Sequence, residues 1–272
     1  MAILMVSYSE CFSKSALIKS RIYGVDYSIN PYYGCEHSCV YCYARFVLKV
    51  RNEDPNKWGS FVCAKINAPK ILKHEIVNAR RGLVLLSSVT DPYQPLELKY
   101  KLTRRILEIL QKKQFPIVIL TKSVFVERDI DLLKLFNDAE VGLTITTLDD
   151  EIASIFEPKA SSPTKRLKVL ERLSTKLRTY AFIGPYLPIF SEKDIEYLIE
   201  ALSEANVRRI LFDKLNLKAR NWESINKALT NFESHVRKRF WQCVKSENYW
   251  LLVKKKIKNL AERNHLDVDF CY

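Results

Sequence analysis

One stretch decides the fold of this chain: Asn30-Pro31-Tyr32-Tyr33-Gly34-Cys35-Glu36-His37-Ser38-Cys39-Val40-Tyr41-Cys42-Tyr43-Ala44-Arg45. It holds three of the seven cysteines in the spacing C-x3-C-x2-C. Thiolates select zinc, copper(I) or an iron–sulfur cluster. Structural zinc sites and Cys₄ clusters use four protein ligands, whereas catalytic metals keep one position open. Three clustered cysteines therefore predict a metal centre with an open coordination position.

The spacing also predicts the shape of this segment, which we call the cysteine loop (residues 34–42). On a continuous helix the first and last cysteines would lie roughly 10 Å apart, at ~1.5 Å rise per residue. That distance is too large for one compact centre, so the segment must curl. Pro31 and Gly34 are suited to open such a loop, and residues 43–50 are predicted to form the helix that follows it.

Short apolar runs alternate with amphipathic stretches along the chain. The runs predict five strands, at residues 83–86, 116–120, 141–146, 179–184 and 209–212, and the weak alternation of residues 25–29 predicts a first strand before them. Helices are predicted between them at residues 100–113, 128–137, 149–156, 163–177 and 191–204, the last with Ser191 as its N-cap. Such alternation indicates a parallel α/β sheet covered on both faces. It does not distinguish an open sheet from a partial barrel.

The remaining segments divide the chain into two predicted regions. Residues 1–220 form the α/β domain, with 52–67 as an insertion that adds one strand. Residues 221–272 form a basic, aromatic and mostly helical extension packed on it, with three of the four tryptophans at Trp222, Trp241 and Trp250. Interleaved basic and aromatic residues are suited to grip a nucleic-acid strand. The favoured interpretation is a solvated helix face anchored by buried tryptophans.

Composition and charge indicate which classes of partner and which cellular compartment to expect for this protein. The formal net charge is +13, from 44 Lys and Arg against 31 Asp and Glu, and such an excess attracts polyanions. A composition rich in Lys with only six Gly is also typical of thermophile proteins with many surface ion pairs. No apolar run approaches the ~20 residues of a membrane span, and residues 2–6 are too short for a signal peptide. These features predict a cytoplasmic protein with no membrane partner, whose thiols stay reduced.

Polar residues recur where the predicted strands end, which is the edge that carries the site in barrels of parallel strands. They are Cys35 to Cys42, Ser87 to Asp91, Thr121 and Lys122, Thr144 and Thr146, Pro185 and Tyr186, and Asp213 and Lys214. One such residue would be an ordinary loop residue. Their recurrence in six units predicts a single polar site at this edge.

Three motifs resemble those of a known family. The cysteine pattern with Tyr41 before its last cysteine resembles the signature of the radical S-adenosylmethionine (radical SAM) superfamily. Residues 27–32 and 41–45, with Thr90-Asp91-Pro92-Tyr93-Gln94-Pro95-Leu96-Glu97 and Ile119-Leu120-Thr121-Lys122-Ser123, resemble its spore-photoproduct-lyase-related branch. The resemblance spans residues 14–215 and implies a partial (β/α)6 barrel of parallel strands with a C-terminal helical extension.

The resemblance implies an enzyme with two cofactors. Cys35, Cys39 and Cys42 would ligate three irons of a [4Fe–4S] cluster, and the fourth iron would bind S-adenosyl-L-methionine (SAM). The reduced cluster would cleave SAM to a 5′-deoxyadenosyl radical that abstracts hydrogen from an unidentified substrate, for which nucleic acid is one candidate. A ferredoxin- or flavodoxin-like protein would donate the electron.

The resemblance also implies which residues contact SAM: Tyr41, Thr90, Asp91, Lys122, Thr144 and Thr146. Tyr41 would lie beside the adenine, and Lys122 would pair with the carboxylate through a charge-assisted hydrogen bond. Tyr41 and Tyr43 match two tyrosines that the lyase uses in catalysis. Where the lyase has a cysteine that returns a hydrogen atom, this chain has Ser87-Ser88-Val89.

A zinc site is the alternative interpretation of the cysteine loop. His37, Cys63 or Cys11 would then be the fourth ligand, and the protein would be a non-enzymatic zinc- or cluster-stabilised nucleic-acid-binding module. Otherwise Cys11 is interpreted as a small buried or free thiol, and Cys63 as a core residue. Cys243 and Cys271 are isolated in sequence and are interpreted as structural.

Overall fold

A computed structural model describes residues 6–272, so residues 2–5 of the segment considered as a signal peptide lie outside the described part. Its strands are β1 (Ser7–Cys11), β2 (Ile18–Lys19), β3 (Tyr27–Ile29), β4 (Tyr32–Tyr33), β5 (Phe61–Lys65), β6 (Val84–Leu86), β7 (Ile117–Thr121), β8 (Ala139–Thr144), β9 (Arg178–Tyr186), β10 (Arg209–Lys214) and β11 (Asp267–Phe270). The main sheet has the order β11-β10-β9-β8-β7-β6-β3-β2, and a small sheet has the order β1-β5-β4.

The helices run mostly between consecutive strands of the main sheet. They are α1 (Phe46–Val50), α2 (Ala68–Glu75), α3 (Glu97–Tyr100), α4 (Leu102–Lys112), α5 (Ile130–Leu133), α6 (Asp150–Phe156), α7 (Pro163–Ser174), α8 (Ile195–Glu204), α9 (Asn221–Leu229), α10 (Ser234–Lys245) and α11 (Glu247–Arg263). Short 3₁₀ turns lie at Tyr43–Arg45, Pro55–Lys57, Val124–Asp129 and Ser191–Lys193. Among residues 6–272, no helix is both long and apolar enough to cross a bilayer.

The main sheet confirms the predicted parallel fold. All six predicted strands are present as β3 and β6 to β10, and each pairs in parallel with its neighbour. The sheet stays open, with β2 and β11 at its two edges. Helices α4 and α7 bury apolar stripes against it, including Ile106, Leu110 and Leu170, none of which is exposed. Burial of each such side chain stabilises the fold by ~2 kcal/mol.

Three local predictions differ from the structure. Strand β11 adds a seventh parallel strand, with Arg209 opposite Asp267, within the region predicted as mostly helical. It was missed because this edge strand alternates acidic and apolar residues, so it carries no apolar run. Helix α2 was not predicted either. Ser191 is not a helix cap: α8 begins at Ile195, and the Ser191 hydroxyl donates instead to the Thr146 carbonyl at 2.6 Å.

The interpretation of Cys11 as a free or simply buried thiol was wrong, as was the prediction of reduced thiols for these two cysteines, whereas Cys63 is a buried core residue as interpreted. The two cysteines form a disulfide, with Cα atoms 6.0 Å apart, inside the usual range for such a bond. They meet because β1 and β5 are parallel neighbours, with Ser9 opposite Cys63. A separation of 52 residues hides this proximity in the sequence. The other five cysteines are free thiols.

The C-terminal tryptophans occupy different environments. Trp250 is buried and Trp241 is half-buried, which agrees with the predicted anchoring role. Trp222 is 51% exposed and does not anchor the helix that carries it. Helix α11 packs on α8 and β11, so this region is continuous with the edge of the main sheet.

Candidate active site

A cavity of about 170 Å³ opens at the carboxyl ends of the parallel strands. Its lining comes from loops that follow six of them: Cys35, His37, Cys39, Tyr41, Cys42 and Tyr43 after β3; Ser87, Ser88, Val89, Thr90 and Asp91 after β6; Thr121 and Lys122 at β7; Thr144 at β8; Gly184 and Pro185 on β9; and Asp213, Lys214 and Asn216 at β10. Each predicted strand end thus contributes to one cavity, although Thr146 and Tyr186 of the predicted set do not line it.

The cysteine loop curls as its spacing predicts. The Cys42 amide donates to the Cys39 carbonyl at 3.1 Å, and the Ser38 amide donates to the Cys35 carbonyl at 3.4 Å. Gly34 has a φ of +83°, and a Cβ at this position would lie 2.5 Å from the Phe61 carbonyl oxygen. Only glycine avoids both the left-handed strain and that contact. All three loop cysteines are free and line the cavity.

The described residues contain no preassembled site for a single metal ion. Within the described chain, no group of three or more His, Cys, Asp or Glu side chains is placed to hold one metal ion. An iron–sulfur cluster differs, because each cysteine binds a separate iron. The fourth zinc ligands considered above are engaged elsewhere: His37 faces Asp91 at 3.4 Å, and Cys11 and Cys63 are bonded to each other.

Two buried hydroxyls show that the cavity suits a polar ligand. Ser87 Oγ and Thr144 Oγ1 are buried, belong to cavity-lining residues and have no hydrogen-bond partner among residues 6–272. Buried polar atoms are nearly always paired. Three free thiols and two unpaired hydroxyls around one space therefore fit a thiolate-bound cluster with a polar cofactor beside it.

Burial sets the protonation of the thiols. It raises the pKa of Cys35 well above its ordinary range, and that of Cys39 to about 12. Burial also raises the pKa of Cys42, partly offset by the Ala44 amide and the charge of Lys122. Only thiolates bind metal, so the protons of these groups must leave when a metal centre assembles.

Asp91 organises the strand ends beside the loop. One carboxylate oxygen accepts from the Thr121 hydroxyl at 2.6 Å and from the Tyr93 amide at 2.8 Å. The other accepts from the Lys122 amide at 2.9 Å and faces His37. Burial alone would raise the pKa of Asp91, but the charge of His37 and these hydrogen bonds hold it at about 2. Asp91 is therefore a carboxylate that joins three segments of the site.

Thr90 contacts the cysteine loop directly. Its hydroxyl donates to the Gly34 carbonyl at 2.6 Å. Gln94 completes this contact, because its amide group donates to Thr90 at 3.0 Å and its oxygen accepts from the Glu36 amide at 2.9 Å. Gln94 is fully buried and lies in residues 90–97, one of the motifs that carry the family resemblance. Its position in the sequence did not indicate this role.

Tyr41 and Lys122 lie together on one wall. The Lys122 ammonium is 5.5 Å from the centre of the Tyr41 ring, and no carboxylate of the described residues pairs with it at salt-bridge distance. The Tyr41 hydroxyl donates to Glu157, which is paired with the buried Arg166. Sequence reasoning missed Glu157, which follows α6, and Arg166, which lies within α7, because charged residues in and beside helices ordinarily face solvent.

The predicted site residues are not all at the cavity. Thr144 lines it, whereas Thr146 does not. Strand β8 ends at Thr144, and the Thr146 hydroxyl points to Glu157 at 3.5 Å. Tyr43 lies at the mouth, where its hydroxyl donates to the Ser88 carbonyl at 2.6 Å. Asp213, opposite in the lining, has its pKa raised to about 6 by burial.

Comparison with known proteins adds relatives in sequence. A family model described as the Radical SAM superfamily matches residues 29–202. An uncharacterized protein of Methanocaldococcus jannaschii is 40% identical over 208 residues, which cover 76% of this chain and 77% of that protein. An uncharacterized protein of Acidianus two-tailed virus is 30% identical over 217 residues, covering 75% and 71%.

Solved structures share the fold. Spore photoproduct lyase complexed with dinucleoside spore photoproduct superposes with a TM-score of 0.73 at 13% identity, covering 97% of this chain and 82% of the lyase chain. A variant of that lyase with bound AdoMet and dinucleoside spore photoproduct gives a TM-score of 0.71 at 12% identity, covering 97% and 81%. At such low identity the likeness establishes the architecture alone.

Proposed function

The chain belongs to the radical SAM superfamily and is a radical SAM enzyme, and we propose that Cys35, Cys39 and Cys42 hold a [4Fe–4S] cluster that binds SAM in the cavity described above. One observation carries this proposal: three free thiols of one curled loop line a single cavity at the strand ends. Family membership also argues against the non-enzymatic zinc module.

When bound, the cluster and SAM supply the reductive cleavage that yields a 5′-deoxyadenosyl radical able to abstract hydrogen from a substrate. The protein binds and orients these groups and excludes water from them. Lys122 brings into the cavity an ammonium that has no salt-bridge partner in the described part of the chain, and it would pair with the SAM carboxylate. Ser87 and Thr144 would bond polar groups of SAM with their unpaired hydroxyls.

The remaining predicted contacts take indirect parts in this proposal. The Tyr41 hydroxyl is engaged by Glu157, so Tyr41 would offer its ring to the adenine. Thr90 and Asp91 would act through the cysteine loop and the Lys122 backbone, to which their side chains are bonded. Thr146 would support the wall from behind, through Glu157.

The reaction needs an electron, and we propose a ferredoxin- or flavodoxin-like donor. Cys42 is the least buried of the three loop cysteines, and the helix after it exposes Phe46 and Val50. Two exposed apolar side chains on the helix that follows the loop support docking of a small electron carrier there.

Nucleic acid is the substrate class that the cavity mouth favours. The rings of Tyr43 and Phe46 stack at 6.3 Å between centroids and are 44% and 39% exposed. Lys214 lines the same cavity. Exposed aromatic rings beside cations suit stacked bases and a phosphate backbone. Salt-dependent binding of single-stranded oligonucleotides tests this, and absence of binding at low salt would exclude it.

The deciding experiment is anaerobic reconstitution with iron and sulfide, followed by SAM and dithionite. We expect a brown protein with iron and sulfide in a 4:4 ratio and release of 5′-deoxyadenosine. Cys39→Ala should abolish both, whereas Cys271→Ala, at an exposed thiol outside the cavity, should change neither. If the protein assembles a complete cluster but no 5′-deoxyadenosine forms after SAM and dithionite are added, the proposal is contradicted.

A further inference from the structure

A buried ion pair lies behind the cysteine loop. Glu157 is 2% exposed and Arg166 is not exposed at all. Arg166 donates through one terminal nitrogen to Glu157 and through the other to the Thr144 carbonyl, at 2.6 Å. Removing two charges from water is costly, so such a pair is weak evidence for stability and points to a specific role instead.

Glu157 connects this pair to the loop. Its second carboxylate oxygen accepts from the Tyr41 hydroxyl, between the second and third cysteines of the loop. Burial would raise the pKa of Glu157, but the charges of Arg166 and Lys122 and the hydrogen bond from Tyr41 lower it. Glu157 is therefore a carboxylate, and Tyr41 is the proton donor in their contact.

The backbone around Glu157 also holds the loop. The Val40 amide donates to the Phe156 carbonyl at 2.9 Å, and the Lys159 amide donates to the His37 carbonyl at 3.3 Å. Segment 156–159 thus meets the loop at three successive points, at His37, Val40 and Tyr41. These partners are distant in sequence, since Tyr41 and Glu157 are 116 positions apart.

We propose that Glu157 is a positioning residue for the cysteine loop: anchored by Arg166, it holds Tyr41 and keeps Cys39 and Cys42 directed at the cavity. The consequence for catalysis rests on the proposed function, but the structural part does not. Because the Tyr41 hydroxyl is hydrogen-bonded to Glu157, Tyr41 presents its ring to the cavity. Glu157 touches neither the cavity nor the thiols, and it acts through Tyr41 and the loop backbone.

Two variants isolate this effect. Tyr41→Phe removes only the hydroxyl and leaves the ion pair intact. Glu157→Gln with Arg166→Met removes both charges together, which avoids leaving one of them buried and unpaired. The control is Glu140→Gln with Arg209→Met. These two residues form an ion pair at 2.6 Å. They lie at the amino ends of strands β8 and β10, whereas the cavity lies at the carboxyl ends.

The readout is site-resolved alkylation of the metal-free protein by iodoacetamide, measured by mass spectrometry relative to the exposed Cys271. Loop opening raises the accessibility of these thiols and so their rate of alkylation. We expect Cys39 and Cys42 to react about tenfold faster in Tyr41→Phe and in the Glu157/Arg166 variant, and to be unchanged in the control. Because no cluster or SAM is present, this readout does not depend on the proposed activity.

A second readout is the electron paramagnetic resonance spectrum of the reduced, reconstituted protein, which reports the cluster surroundings. We expect both loop variants, and not the control, to shift it. If the Glu157/Arg166 variant does not fold, Tyr41→Phe alone decides. Alkylation rates and spectra like those of the parent protein, in a Tyr41→Phe variant with unchanged circular dichroism, would overturn the proposal.

Discussion

The carboxylate of Asp91 lies 3.4 Å from Nδ1 of His37, so a buried charge on the second parallel strand end faces the inside of the cysteine loop. The same carboxylate accepts hydrogen bonds from the Thr121 hydroxyl and the Lys122 amide. One side chain therefore sets the relative position of the loop that carries the thiols and the strand end that carries Lys122.

Asp91→Asn should lower the free energy of unfolding of the metal-free protein, by an amount that depends on pH. The pKa of Asp91 is about 2 in the folded protein, below its ordinary 3.8. A lowered carboxyl pKa stabilises the fold above pH ~4, and this contribution is lost as the pH falls through 2. We expect a loss of about 2 kcal/mol in the free energy of unfolding at pH 7, shrinking below pH 4, measured by urea denaturation.

Asp131→Asn is the matched control for that measurement. Its pKa is also lowered to about 2, by Arg104, but its side chain is 62% exposed. Exposed ion pairs contribute little because solvent screens them. Equal effects of the two substitutions at pH 7 would show that Asp91 does not organise the site.

Lys122→Met should weaken SAM binding without preventing cluster assembly. The substitution keeps most of the aliphatic stem and removes the ammonium, and with it one charge-assisted hydrogen bond. We expect the dissociation constant of SAM to rise at least about tenfold, measured by equilibrium dialysis on reconstituted protein, with unchanged iron content. Lys214→Met, in the same lining, should have a smaller effect, and the reverse order would move the carboxylate contact to Lys214.

Gly34→Ala should prevent the cysteine loop from forming. Gly34 combines a φ of +83° with a Cβ position 2.5 Å from the Phe61 carbonyl oxygen. Left-handed strain and a backbone clash together cost about 3 kcal/mol. Gly24→Ala separates the two causes, since Gly24 has a φ of +74° with open space around its Cβ position, and it should cost about 1 kcal/mol.

Thermal unfolding and iron content after reconstitution measure these glycine variants. Gly34→Ala should lower both the melting temperature and the iron content, and Gly24→Ala only the melting temperature, slightly. Full iron incorporation in Gly34→Ala would show that the loop adopts another conformation.

Thiol counting tests the disulfide. The unfolded, metal-free protein should titrate five thiols without reductant and all seven cysteines after reduction. A bond that closes a loop of 52 residues stabilises the fold by about 4 kcal/mol in the chain-entropy model. Cys63→Ala should lose this amount under non-reducing conditions, and Cys243→Ala should not. Seven thiols before reduction would contradict the bond.

The core of the fold could be predicted from local patterns. Of the seven parallel strands described in the main sheet, five follow from short apolar runs, because a strand buried on both faces excludes most polar side chains. Strand β11 was not predicted, because it lies at the edge of the sheet and the exposed Asp267 and Asp269 interrupt its apolar residues. Ser191 was assigned as a cap from residue type alone, whereas its hydroxyl is used by the Thr146 carbonyl.

The sequence by itself determined the spacing of Cys35, Cys39 and Cys42, the curl that this spacing requires, and the parallel sheet that collects polar strand ends at one edge. These follow from contacts within a few residues and from the period of apolar side chains. Only the tertiary structure decided that Cys11 bonds Cys63, that Thr146 lies off the cavity, and that Glu157 holds Tyr41. Those contacts join residues distant along the chain, so they depend on strand order and register, which no local pattern specifies.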